Sequence, residues 1–147
     1  MNDCGTCTWC CKVTQVPEIH KAPYVWCKNC SIGKGCDIYD QRPESCRKFT
    51  CVWLSKQLPP DLRPDKCKVM FEEITPTIYL GLCDPGRPNA WKERKLQSKV
   101  ADFLEAGKSI VCFSGPRSTK NIIVPDGEKP ERIWAEVVET AKLTGVI

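Results

Sequence analysis

The sequence of 147 residues contains no extended apolar stretch. Its longest one covers six residues, 78–83, whereas a membrane-spanning helix needs about 20. The first residues, Met1-Asn2-Asp3-Cys4, include neither a basic cluster nor an apolar segment, so we expect no signal peptide. These features predict a cytoplasmic protein with no membrane contact, in which structural disulfides are uncommon.

Familiar catalytic motifs are also missing. The chain contains no G-x-G-x-x-G after a predicted strand and no G-x-x-x-x-G-K-[ST], which argues against the common dinucleotide and phosphate sites. Its one histidine, His20, is predicted to be solvated, and no histidine accompanies the cysteines as a base. A non-enzymatic role is therefore favoured.

Charge is nearly balanced, with 22 basic and 18 acidic residues and a formal net charge of +4. The charged residues are spread along the chain, and metal-bound thiolates would bring the net charge closer to zero. A basic arm or tail is not evident, so a nucleic-acid partner is not expected.

Cysteine is abundant and unevenly placed. Nine of the 12 cysteines fall within the first 51 residues. Thiolates at C-x-x-C spacing can share one ion, and thiolate-rich sites select zinc, copper(I) or iron–sulfur clusters. The sequence therefore predicts a metal site made from Cys4, Cys7, Cys10, Cys11, Cys27, Cys30, Cys36, Cys46 and Cys51.

Two motifs resemble a known family. Residues 4–11 read C-x-x-C-x-x-C-C, and residues 36–51 read C-x-I-Y-x-x-R-P-x-x-C-R-x-F-x-C. Both patterns, in this order, resemble the CxxCxxCC cysteine-cluster family, described as zinc- or iron-chelating and related to a module of flagellin lysine N-methylase. The resemblance covers residues 4–54 and implies a metal-binding module. Arg42 and Arg47 of the second motif are either hydrogen-bond donors that neutralise thiolate charge or ordinary surface residues.

The metal and its count are open at this stage. Seven motif cysteines with Cys27 or Cys30 supply enough ligands for two four-cysteine zinc sites, and all nine would suit a multinuclear cluster. An iron–sulfur cluster is the alternative, because C-x-x-C-x-x-C also begins the bacterial ferredoxin motif. Zinc is favoured, since the adjacent Cys11 departs from that motif.

The fold class predicted is α+β. An irregular cysteine-rich, metal-bound segment (1–57) precedes a Pro-rich linker (58–65), whose prolines favour an extended path, and a small α+β unit (66–147). We expect the front segment and this unit to pack as one compact domain. A short helix is expected near 44–50. Periodicity predicts strands at 66–74, 77–83, 109–113 and 122–124, with amphipathic helices at 89–106 and 131–143. Asn89 is expected to cap the first helix and Gly107 to end it, and Gly145 is expected to end the second.

Several other side chains are expected to pack. Tyr39 and Phe49 should pack around the metals, and Trp9, Trp26 and Trp53 should shield them from water. Cys67, Cys83 and Cys112 are expected to be buried free thiols.

Three functions follow from these observations. The first is a structural or accessory metal-binding module acting with an unidentified protein partner. The alternatives are an iron–sulfur-dependent enzyme or methyltransferase-associated protein, and a nucleic-acid-binding zinc module, suggested by tryptophans near Arg47, Lys48 and Lys56.

Overall fold

The computed structural model describes residues 1–116 and 118–144, with side chains up to residue 141. The helices are α1 (Trp9–Val13), α2 (Glu44–Lys48), α3 (Val52–Ser55), α4 (Pro64–Cys67), α5 (Arg94–Glu105) and α6 (Pro130–Thr144). The strands are β1 (Cys30–Ser31), β2 (Gly35–Cys36), β3 (Val69–Thr75), β4 (Ile78–Cys83), β5 (Ser109–Phe113) and β6 (Asn121–Ile123). This combination confirms the α+β prediction.

The main sheet has the strand order β3-β4-β5-β6. Strands β4 and β5 are parallel, and α5 lies between them in the chain, while the two outer pairs are antiparallel. A second sheet is a two-residue hairpin in which β1 pairs with β2. Alternation along the strands sends side chains to two faces, each of which has its own cover.

Helix α5 covers the first face of the sheet. Its apolar stripe, Leu96, Val100 and Phe103, is buried with the strand residues of that face. The Phe103 ring meets Phe71 edge-on at 5.4 Å and Tyr79 at 5.0 Å between ring centroids. Edge-to-face rings of this kind add about 0.5–1.5 kcal/mol per pair beyond the area they bury.

The second face is covered from two sides. Helix α6 packs Ile133 and Val137 against Ile78 at one end. At the other end, Trp9 and Val13 of α1 pack against Met70 of β3. The cysteine-rich segment and the sheet therefore share an apolar core.

Most element predictions are confirmed, with shifted bounds. The helix predicted at 89–106 begins at Arg94, because Glu93 is extended (φ −62°, ψ 144°) and separates α5 from a single 3-10 turn, Ala90–Lys92. Asn89 does not cap through its side chain. The predicted stop of α6 at Gly145 falls outside the described residues.

The extended path predicted for residues 58–65 is wrong. Pro60 begins a 3-10 turn and Pro64 begins α4, because proline at the first helical position has no intrahelical N–H to lose. Leu58 and Leu62 are buried in the core beneath α5. The division of the chain into three segments stays a prediction, but this stretch packs as part of the fold.

Two predictions on burial and one on membrane helices can be compared with the structure. Cys67, Cys83 and Cys112 are buried free thiols, which confirms the prediction for them. Tyr39 is expected to pack around the metals; it lines the cysteine cavity, but the residue is 55% exposed. Within residues 1–116 and 118–144, no helix combines the length and apolar character needed to cross a bilayer.

Candidate metal centre

Two tight turns carry the C-x-x-C pairs. The Cys7 amide donates to the Cys4 carbonyl at 2.7 Å, and Gly5 between them takes φ +46°. The Cys30 amide donates to the Cys27 carbonyl at 3.2 Å, and the Asn29 amide donates to the Cys27 sulfur at 3.4 Å. Such turns bring the first and fourth residues together while backbone N–H groups point toward sulfur.

The remaining cysteines come from short elements around these turns. Cys10 and Cys11 lie on α1, and the Cys27 amide donates to the Cys11 carbonyl at 2.9 Å, which ties the second turn to this helix. Cys30 lies opposite Cys36 in the β1–β2 hairpin. Cys46 lies on α2, and Cys51 immediately precedes α3.

These elements surround one cavity of about 530 Å³. Seven of the nine predicted ligands line it: Cys4, Cys7, Cys10, Cys11, Cys27, Cys36 and Cys46. Cys30 lies outside the lining but its thiol is a hydrogen-bonding neighbour of Cys11. The structure thus brings together cysteines separated by more than 40 residues in the chain.

The thiols around Cys11 form the denser group. A hydrogen bond with Cys10 and burial raise the pKa of the Cys11 thiol. A hydrogen bond with the neighbouring Cys30 acts in the opposite direction. Burial and the charge of Cys11 raise the pKa of Cys30 to about 12. Burial also raises the pKa of Cys46, reinforced by Cys11 and Cys27. Thiols this close keep their protons unless a cation offsets their repulsion.

A second group contains Cys4, Cys7 and Cys51. Burial is the main cause that raises the pKa of each thiol. Cys4 is within electrostatic reach of Cys51 and also of Cys11, so the two groups adjoin. Cys7 is also a neighbour of Asp65, whose carboxylate receives two hydrogen bonds from Arg63 at 2.6 Å. Burial would raise the pKa of Asp65, but Arg63 holds it below its ordinary value.

The nine cysteines are free in this structure. Among residues 1–116 and 118–144, no three cysteine, histidine, aspartate or glutamate side chains lie close enough to hold a single ion. The donor chemistry nevertheless fits a soft metal, since thiols are the only abundant donors lining the cavity.

The two arginines of the second motif differ in position. Arg42 lines the cavity, where its charge lowers the pKa of Cys4 against the effect of burial. Its guanidinium lies 3.9 Å from the Tyr39 ring centroid, and its Nε donates to the Tyr39 carbonyl at 3.0 Å. Arg47 is exposed on the last turn of α2.

The aromatic residues of this segment differ in burial, and none of its tryptophans lines the cavity. Trp9 and Trp53 are buried and Trp26 is partly buried, while Phe49 packs against the core of Trp9, Val13 and Met70. His20 is exposed, and its backbone takes φ 54° at the end of a 3-10 turn.

Lys21 is a feature that sequence reasoning missed. Only 7% of the residue is exposed, and its Nζ donates to the carbonyls of Lys12, Thr14 and Ala22. Burial lowers the pKa of this ammonium, and the thiols of Cys27 and Cys11 oppose that shift. A single lysine in the sequence predicts an exposed side chain. Its buried position follows from the chain reversal that pairs Val16 with Lys21, which no local pattern indicates.

Comparison of the chain with protein-family models, with curated proteins and with solved structures found no match. The resemblance to the cysteine-cluster family therefore rests on the two motifs alone and stays a prediction.

Proposed function

We propose that this chain is a metal-binding protein that holds zinc through the cysteines of residues 4–51 and serves as a structural or accessory module. The observation that carries the proposal is the convergence of seven of those cysteines on one cavity. They come from two turns, two short helices and a hairpin that have little regular structure of their own.

A metal would offset two costs of this arrangement. Neighbouring thiolates repel one another, and a divalent cation between them converts that repulsion into attraction. The segment also buries few aliphatic side chains, and structural zinc contributes on the order of 10 kcal/mol of folding free energy per site. Metal binding would therefore stabilise the part of the chain that its apolar contacts hold least.

The two thiol groups suggest how ligands would divide. Cys10, Cys11, Cys27, Cys30, Cys36 and Cys46 would supply the denser centre, and Cys4, Cys7 and Cys51 would supply the other. We expect loading to draw these sulfurs inward to about 2.3 Å from zinc. Arg42 is placed to neutralise excess thiolate charge from outside the ligand set.

An iron–sulfur cluster is the alternative occupant, favoured by the same soft donors. Anaerobic purification followed by metal and acid-labile sulfide analysis separates the two. Zinc at about two ions per chain, one for each thiol group, with no visible absorption supports the proposal. A brown protein with iron and sulfide establishes the alternative, and a folded protein without metal contradicts both.

A pair of variants tests the ligand assignment. Cys11→Ser removes the thiol at the centre of the denser group and should lower the metal content. Cys67→Ser is the matched control, because this buried thiol lies outside the cavity lining and contacts the carbonyls of Leu62 and Val69, which a hydroxyl can also reach. Equal metal content in the two variants would contradict the assignment.

A further inference from the structure

The cavity beside the cysteines has a second wall that the metal proposal does not use. It extends onto the sheet, where Glu72, Leu80 and Leu82 line it. Glu72 lies opposite Leu80 in the antiparallel register of β3 and β4, and Met70 lies opposite Leu82. All four belong to the face that α6 covers at one end and α1 at the other, so Glu72 lies between these two covers.

Glu72 is the one acidic side chain among the residues that line this cavity. In the part of the chain that the structure describes, no side chain forms an ion pair or hydrogen bond with its carboxylate. Burial alone accounts for a raised pKa of this group. Its neighbour Glu73, by contrast, is exposed on the other face and lies 3.8 Å from the Lys56 ammonium.

Three cations of the cysteine-rich segment already have partners. Lys12 pairs with Asp84 at 3.2 Å, Lys21 donates to three carbonyls, and Arg42 stacks on Tyr39. A half-buried carboxylate without a partner costs stability, and such groups persist where a ligand supplies the missing charge.

The remaining surroundings suit an organic cation. Val13, Val16 and Leu80 supply apolar walls, and the rings of Tyr24 and Phe49 also line the cavity. Aromatic faces attract ammonium groups. Tyr24 takes φ 62°, an unusual backbone conformation for a bulky residue that is often found at binding sites. The whole cavity, including its cysteine wall, has a volume of about 530 Å³, and small-ligand pockets begin at about 300 Å³.

We propose that this cavity binds a small organic amine in its protonated form, with the ammonium paired to Glu72 and the hydrocarbon part against Leu80, Val13 and Phe49. The site goes beyond metal binding, and it requires only that the protein be folded as purified. Amine binding at this site does not depend on which metal the cysteines hold.

Calorimetric titration near neutral pH tests the proposal with two probes of similar shape, benzylammonium and neutral benzyl alcohol. We expect benzylammonium to bind at least about tenfold more tightly, as one charge-assisted contact would give. Glu72→Gln should abolish that preference, and Glu73→Gln, which changes the adjacent exposed carboxylate, should retain it.

Three outcomes of the titration would overturn the proposal. One is absence of binding, and another is equal affinity for the two probes. The third is a preference for benzylammonium that survives Glu72→Gln, as expected if the amine coordinates the metal instead. The metal content of Glu72→Gln provides a separate check, and we expect it to equal that of the wild type. A loss of metal in this variant would assign Glu72 to the metal centre and contradict an amine site. A chain that binds benzylammonium but no metal would refute only the metal proposal.

Discussion

Replacing Lys21 by methionine tests whether this buried ammonium holds α1, and with it Cys10 and Cys11, in place. The Lys21 Nζ donates to the carbonyls of Lys12, Thr14 and Ala22, two of which lie at the C-terminal end of α1. Methionine fills a similar volume but leaves these carbonyls without that donor. A buried group that loses its partner costs about 1–3 kcal/mol, while removal of the buried charge returns part of this.

We therefore expect Lys21→Met to lower the free energy of unfolding by about 3 kcal/mol. For a urea m-value of about 2 kcal/mol/M, the midpoint would fall by about 1.5 M. Urea titration followed by circular dichroism measures this shift. Lys28→Met, at an exposed position in the same segment, should stay within about 0.5 kcal/mol of wild type. A loss below that level in Lys21→Met would refute the positioning role.

Three further predictions concern the sheet and the metal. Removing the metal with a chelator should abolish hydrogen-exchange protection in residues 4–51 and leave most of it in 94–113, and equal loss in both would contradict a metal-dependent segment. Gly81→Ala would place a Cβ 2.8 Å from the Cys112 sulfur, so thermal unfolding should show that the free energy of unfolding falls by about 1–3 kcal/mol. Adding Cys112→Ala should restore most of this loss, and wild-type stability in Gly81→Ala alone would contradict the prediction. Because burial raises the pKa of Glu72, the folded state binds more protons than the unfolded state above the ordinary glutamate pKa, and stability falls as pH rises through that window. Glu72→Gln should therefore gain about 0.5–2 kcal/mol at about pH 7 and little at about pH 4, and an equal effect at both would argue against a buried charge.

Periodic patterns account for the parts of the fold that sequence reasoning located. Leu96, Val100 and Phe103 recur at helical spacing and are the buried stripe of α5. Gly107 was expected to end that helix and follows it at φ 82°. These signals are local, because each depends on which side chains of one element face the core.

Features that depend on distant contacts were not predictable in the same way. Lys21 and Glu72 have no distinctive local sequence. Lys21 is enclosed by the chain reversal at Val16 and by the carbonyls it contacts, and Glu72 by the cavity between the cysteine segment and the sheet. Tyr39 looked apolar enough to pack, yet it lies exposed beneath Arg42. The prolines at 60 and 64 failed as indicators of extended chain because proline disfavours helix interiors but not helix starts.

The alternation of β3 bears on whether the cysteine segment could be transplanted to another protein. Met70 packs with Trp9 and Val13, while its neighbours Val69 and Phe71 belong to the core beneath α5. Strand β3 thus separates two cores, and its successive side chains point alternately into one and the other. A graft of residues 1–57 alone would leave Trp9 and Val13 without Met70, the residue of β3 that they pack against. The smallest portable unit is the cysteine segment together with the β3–β4 hairpin, on a host whose own helix replaces α5.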